Sequence, residues 1–207
     1  GLTARTLARM SAPKRFPDRD EIAAVRAETE PLEDGATGDA KRRLAGRVMA
    51  RRDMGKLVFL DLVDRSGRVQ LLCPVERTGP VDVHLGDLIG VTGRATQSRR
   101  GEPSLIADEL IVLAKIHSPL PDKFHGLTDV EQRYRRRYLD LLMNDEVRAD
   151  FMLRARIVSA IRRYLDSEGF VEVETPVLQP LYGGAFAEPF VTHHNELDQD
   201  LYLRIAT

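Results

Sequence analysis

Residues 57–73 read LVFLDLVDRSGRVQLLC. Val58, Leu60 and Leu62 alternate with Phe59 and Asp61, and beyond the DRSG turn Val69 and Leu71 alternate with Arg68 and Gln70. Period-two alternation on both sides of a tight turn predicts a hairpin with one apolar face. The same alternation recurs outward in RLAGRVMARR, DLIGVTGRAT and PSLIADELIVL, punctuated by turn formers around Gly101 to Pro103. Five short strands in about 70 residues suit a small closed Greek-key barrel. An SH3-like barrel or a small sandwich meets the same spacing.

Parity decides which side chains face outward, since successive strand residues point to opposite sides. Arg47, Met49 and Arg51 share a side in the first strand. Phe59 shares a side with Asp61, opposite the apolar Val58, Leu60 and Leu62. Phe59 is therefore expected on the polar face with Arg47, Arg51, Arg68 and Gln70, where the barrel core does not account for it. An aromatic ring among arginines suits base stacking with phosphate neutralisation, as in proteins that read single strands. The bland alternative packs Phe59 beneath a loop or the N-terminal extension.

Residues 1–40 hold Pro13, Pro17 and Pro31, with one short apolar pattern at Ile22, Ala24 and Val25, and are read as an extension. The barrel is assigned to 41–116. A connector over 117–149 starts with HSPLPDKFHGL and carries a helix, for which Thr128 and Glu131 have capping-box spacing and Val130, Tyr134, Tyr138, Leu141 and Leu142 form the apolar stripe. From 150 a second helix reaches Ser167, Gly169 offers a left-handed stop, and VEVETP alternates as a strand up to Pro176.

Composition narrows the function classes. The formal net charge of the 207 residues is −1, yet Lys41 to Lys56 carries seven basic residues against Asp53 alone. A single cysteine, Cys73, rules out an internal disulfide framework and points to a reducing, cytoplasmic setting. No apolar run reaches the roughly 18–20 residues of a membrane helix, and GLTARTLARM is too short and polar for a signal peptide. Neither a metal site nor a membrane partner is expected.

The barrel pattern, LPDKFHGL, RYRRRYLDLLMNDEVR, GFVEVETPVL and GGAFAEPFVTHHNELDQDLYLRIA together resemble bacterial class II lysyl-tRNA synthetase, from about Arg43 to Ala206. The resemblance implies an α+β chain: a five-stranded OB-fold barrel, a helical connector, and the opening helix and strand of a class II catalytic domain over 150–207. It implies that the barrel binds the anticodon of a lysine-accepting tRNA, with Phe59 stacking on a base, Gln70 reading a base edge, and Arg52 and Glu102 adding contacts. In a regular strand Arg52 points inward, so a bulge or strand end would have to turn it out. The resemblance further implies that Gly183 and Gly184 form a loop close to the amino-acid substrate, and that GFVEVETPVL, ending at Pro176, is the motif 1 homodimer interface.

Complete family members use ATP and magnesium to activate lysine. No counterpart of motifs 2 and 3 precedes Thr207, so this chain by itself is expected to be inactive, with no catalytic residue and no cofactor of its own. Glu188 stands where the family usually has arginine. Two rival readings share these features: a stand-alone, non-catalytic tRNA-binding or dimerising paralogue, and the synthetase-like part of a lysyl-phospholipid-forming enzyme.

Overall fold

A computed structural model describes residues 15–121 and 127–206. The stretch GLTARTLARM, most of LPDKFHGL and Thr207 lie outside the described residues. The chain divides into two compact units, Gly1–Leu139 and Asp140–Thr207.

In the first unit, helix α1 (Ile22–Thr29) precedes strands β1 (Thr37–Asp53), β2 (Leu57–Val63) and β3 (Arg68–Pro74). The short helix α2 (Val75–Thr78) and strands β4 (Leu88–Gln97) and β5 (Pro103–Ala114) complete it. The strands close in the order β1-β2-β3-β5-β4. All neighbours are antiparallel except β3 and β5, which pair in parallel from Gln70↔Ser104 to Leu72↔Ile106. Long β1 makes closure possible: it pairs with β4 through its first part and with β2 through its last.

The alternating apolar residues fill the barrel. Leu44, Val48, Leu60, Leu62, Leu71, Ile89 and Leu105 are fully buried. Cys73 lies among them, and burial pushes its thiol pKa up to about 12, which makes it a small core residue rather than a reactive group.

Three boundaries differ from the sequence expectation, one of them the second helix, which begins at Asp145 rather than 150. β1 starts at Thr37, inside the supposed extension, and α1 belongs to the core, because Ile22 and Val25 are three residues apart on one helix face and both are fully buried. The β2–β3 turn fixes that helix. The Asp64 carboxylate accepts the Ile22 N–H (3.0 Å) and the Ser66 hydroxyl accepts the Ala23 N–H (3.0 Å), so two free helix-start donors find partners on the barrel.

After the barrel come α3 (Val130–Arg135), α4 (Arg137–Met143) and α5 (Asp145–Ser167). The single connector helix is thus broken, at Arg136 (φ −120°, ψ 54°). Its cap is Asp129, not Thr128: the Asp129 side chain stands directly before the first helical residue and accepts the Gln132 N–H at 2.7 Å. Gly169 (φ +85°) ends α5 as anticipated, with Phe170 N–H donating to Leu165 O and Gly169 N–H to Asp166 O.

Strands β6 (Leu178–Gln179), β7 (Val191–His194) and β8 (Gln199–Leu203) form an antiparallel sheet ordered β6-β8-β7. The alternating VEVET stretch does not form a strand. Residues 170–176 join no ladder, and an extended segment becomes a strand only with a hydrogen-bonding neighbour.

Candidate nucleic-acid interface

Cross-strand register defines the outer face of β1, β2 and β3, because residues directly opposite one another share a face. One row runs Arg52, Phe59, Leu72; the next runs Ala50, Asp61, Gln70 and, on β5, Ser104. Arg47, Val63 and Arg68 make a third.

The position of Arg52 is set by a bulge in β1. Val48 pairs with Leu62 but Ala50 pairs with Asp61, so Met49 is the extra residue and every later side chain changes face. Arg52 consequently stands opposite Phe59, its guanidinium carbon 5.6 Å from the ring centroid. That is within cation–π range. Phe59 itself is half-buried while Arg52 is exposed. A flat aromatic surface edged by a cation is thereby offered to solvent.

The same bulge corrects the sequence expectation for Arg51. Paired with the core residue Leu60, it leaves the Phe59 face, and its guanidinium donates to Val81 O (3.0 Å) and Val83 O (2.5 Å) and pairs with Asp53 (3.2 Å). Arg47 keeps the expected face, but its guanidinium donates to Gly86 O (2.7 Å). Arg68 does as well, and pairs with Asp61 at 3.5 Å. All three arginines expected to neutralise phosphate thus have partners within the protein.

Gln70 and Glu102 are joined through Ser104, which the sequence reading did not single out. The Ser104 hydroxyl donates to Glu102 O (2.9 Å) and lies 3.4 Å from Gln70 Oε1. This fully buried serine ties the start of β5 to β3, while the Glu102 side chain remains exposed. Its signal was its place two residues after Glu102 in RGEPSL. The face therefore combines a stacking ring, a half-buried amide with donor and acceptor, and an exposed carboxylate, which together can hold an unpaired base and read its edge.

In the second unit, Gly184 has φ +91° and a Cβ there would lie 3.0 Å from the Ala206 Cβ; Gly183 has open space around it, and both are exposed. Tyr182 packs on Tyr202 (4.9 Å), and Arg204 donates to Thr175 O and Oγ1, both at 2.8 Å, beside the exposed Pro176. His193 is engaged by Asp200 (2.9 Å). Among the described residues no three His, Cys, Asp or Glu side chains gather as a metal site. Among them, too, no helix is long and apolar enough to cross a membrane.

The family described as "OB-fold nucleic acid binding domain" matches residues 43–113, and the one described as "tRNA synthetases class II (D, K and N)" matches residues 129–207. The chain is 51% identical over 170 residues to a lysine–tRNA ligase of Dehalococcoides mccartyi, covering 79% of this chain and 34% of that protein. It is 50% identical over 199 residues to one from a Synechococcus species, 93% and 41% of the two chains. With the Rhizobium meliloti enzyme it shares 48% identity over 193 residues, 90% and 38% of the two. The chain spans between a third and about two-fifths of these relatives' length. It belongs to the class II lysyl-tRNA synthetase family, matching the OB-fold of those enzymes and the opening of their synthetase domain.

Proposed function

We propose that the Phe59 face of the barrel binds the anticodon loop of a lysine-accepting tRNA, as part of a cytoplasmic protein that attaches lysine to that tRNA with ATP. The observation that carries this reading is the row in which Arg52 edges the half-exposed Phe59 ring, next to the row holding Gln70 and Ser104. In this reading Phe59 stacks on one anticodon base, Gln70 and Glu102 bond to base edges, and Arg52 adds charge beside the ring. Arg47, Arg51 and Arg68 hold the face in shape. The names of the relatives, lysine–tRNA ligases, supply the tRNA and the amino acid.

Titration of the protein with a stem-loop RNA bearing a UUU anticodon tests it. Phe59→Ala is expected to weaken binding by about 1–3 kcal/mol, with melting temperature little changed because the ring is outside the core. Parental affinity in that variant would remove Phe59 from the site.

The second unit fits a homodimer. Phe151, Leu153, Ile157, Ile161 and Leu165 on α5 are all exposed, as are Val171 and Val173 on the way to Pro176. Apolar side chains exposed in this number on one helix and the segment after it are characteristic of association sites. The loop at Gly183 and Gly184 is proposed to approach the lysine, since only glycine adopts the φ of Gly184 without strain.

A further inference from the structure

Arg47, Arg51 and Arg68 are engaged by partners within the protein, whereas the β4–β5 turn beside Glu102 carries two further cations at the Gln70 end of the face. We propose that Arg99 and Arg100, on the β4–β5 turn, grip the phosphodiester backbone next to the base read by Gln70 and Glu102. The proposal rests on the reading of the Phe59 face given above and deepens it.

The turn is stiff. Ser98 N–H donates to Glu102 O (3.0 Å), Gly101 N–H to Ser98 O (2.9 Å), and Glu102 N–H to the Ser98 hydroxyl (2.9 Å), while the Gln97 side-chain amide donates to Gly101 O (3.0 Å). Gly101 adopts the φ of +74° that the turn requires. Both arginines are exposed, and among the described residues neither guanidinium has an ion pair or hydrogen bond, although the Asp34 carboxylate lies near Gly101 in the same turn. Unengaged guanidinium groups on a rigid turn lose little order on meeting a phosphate, and their fork of donors matches its oxygens.

Placement completes the argument. From this turn the chain passes through Glu102 to Ser104, whose hydroxyl bonds to Glu102 O and approaches Gln70. The pair therefore borders the base-reading groups at the β5 side, opposite Arg52 on β1. A strand crossing the face would have its bases on Phe59 and Gln70 and its phosphates along the turn.

The test compares parent, Arg99→Ala/Arg100→Ala, Arg99→Lys/Arg100→Lys and Phe59→Ala, using the UUU stem-loop and a stem-loop of unrelated anticodon from about 50 to 200 mM salt. The double alanine variant should lower the log–log salt slope by about 1.4, at roughly 0.7 per single-strand phosphate contact. The loss should be the same on both stem-loops, because phosphate contacts carry no sequence information. The lysine pair should keep the parental slope. A parental slope in the double alanine variant, with Phe59→Ala weakened, overturns the turn assignment alone. A loss confined to the UUU stem-loop also overturns it, by making the arginines base readers. Parental affinity in Phe59→Ala overturns the reading of the face on which the proposal stands.

Discussion

Arg51 and Arg52 are adjacent and chemically identical, yet the bulge at Met49 sends them to opposite faces of the strand. Arg51 braces the 81–87 loop by donating to Val81 O and Val83 O, on residues that are themselves buried. Arg51→Ala should therefore lower stability by about 1–2 kcal/mol, since it leaves two carbonyls without a donor, and should leave the salt slope of RNA binding as in the parent. Thermal melts together with salt titrations check this; a reduced slope at unchanged melting temperature would return Arg51 to the binding face. Alternation alone placed Phe59, Gln70, Arg47 and Arg68 on one face, and the register agrees. Alternation could not show that Arg47 and Arg68 have partners, because Gly86 is 39 residues from Arg47 along the chain.

At the scale of elements, the β2–β3 turn does more than reverse the chain. The Asp64 carboxylate accepts N–H groups from Ser66 and Gly67 within the turn and from Ile22 at the start of α1. Its partial burial, which alone would raise its pKa, is outweighed by the Ile22 N–H, the Ser66 hydroxyl and N–H, and the Gly67 N–H, leaving it below the ordinary 3.8. A carboxylate with a lowered folded pKa contributes stability that is complete above its unfolded pKa and disappears as pH falls through the folded value. The docking of α1 should accordingly weaken only below about pH 4. Asp64→Ala should cost about 1–2 kcal/mol at neutral pH and abolish that part of the acid transition, measured by denaturant unfolding across pH. An acid profile unchanged by the substitution would show that Asp64 does not hold the helix. The DRSG turn was legible as a turn; its second task was not, since Asp64 and Ile22 are 42 residues apart.

Across the whole molecule, the two units differ in how they bury apolar surface. The barrel and α1 form one core with more than a dozen buried side chains, whereas α5 has none. Amide exchange should therefore be slow in β1 to β5 and fast in α5 at low protein concentration, because a helix without packing is marginal in water. If α5 pairs with a second copy, its protection should rise with protein concentration; concentration-independent fast exchange would argue against that pairing. The sequence by itself determined the five strands, the apolar filling of the barrel, the stop at Gly169 and the family, because these depend on local alternation, turn chemistry and residue identity. It also put the Phe59 ring and the Gln70 amide on one face, as the register has them. Only the tertiary structure decided which arginine stands over Phe59, which arginines are already engaged, that α1 is core, and that VEVET joins no ladder. Each of those depends on a one-residue register shift or on a partner far along the chain, and neither leaves a periodic trace in the sequence.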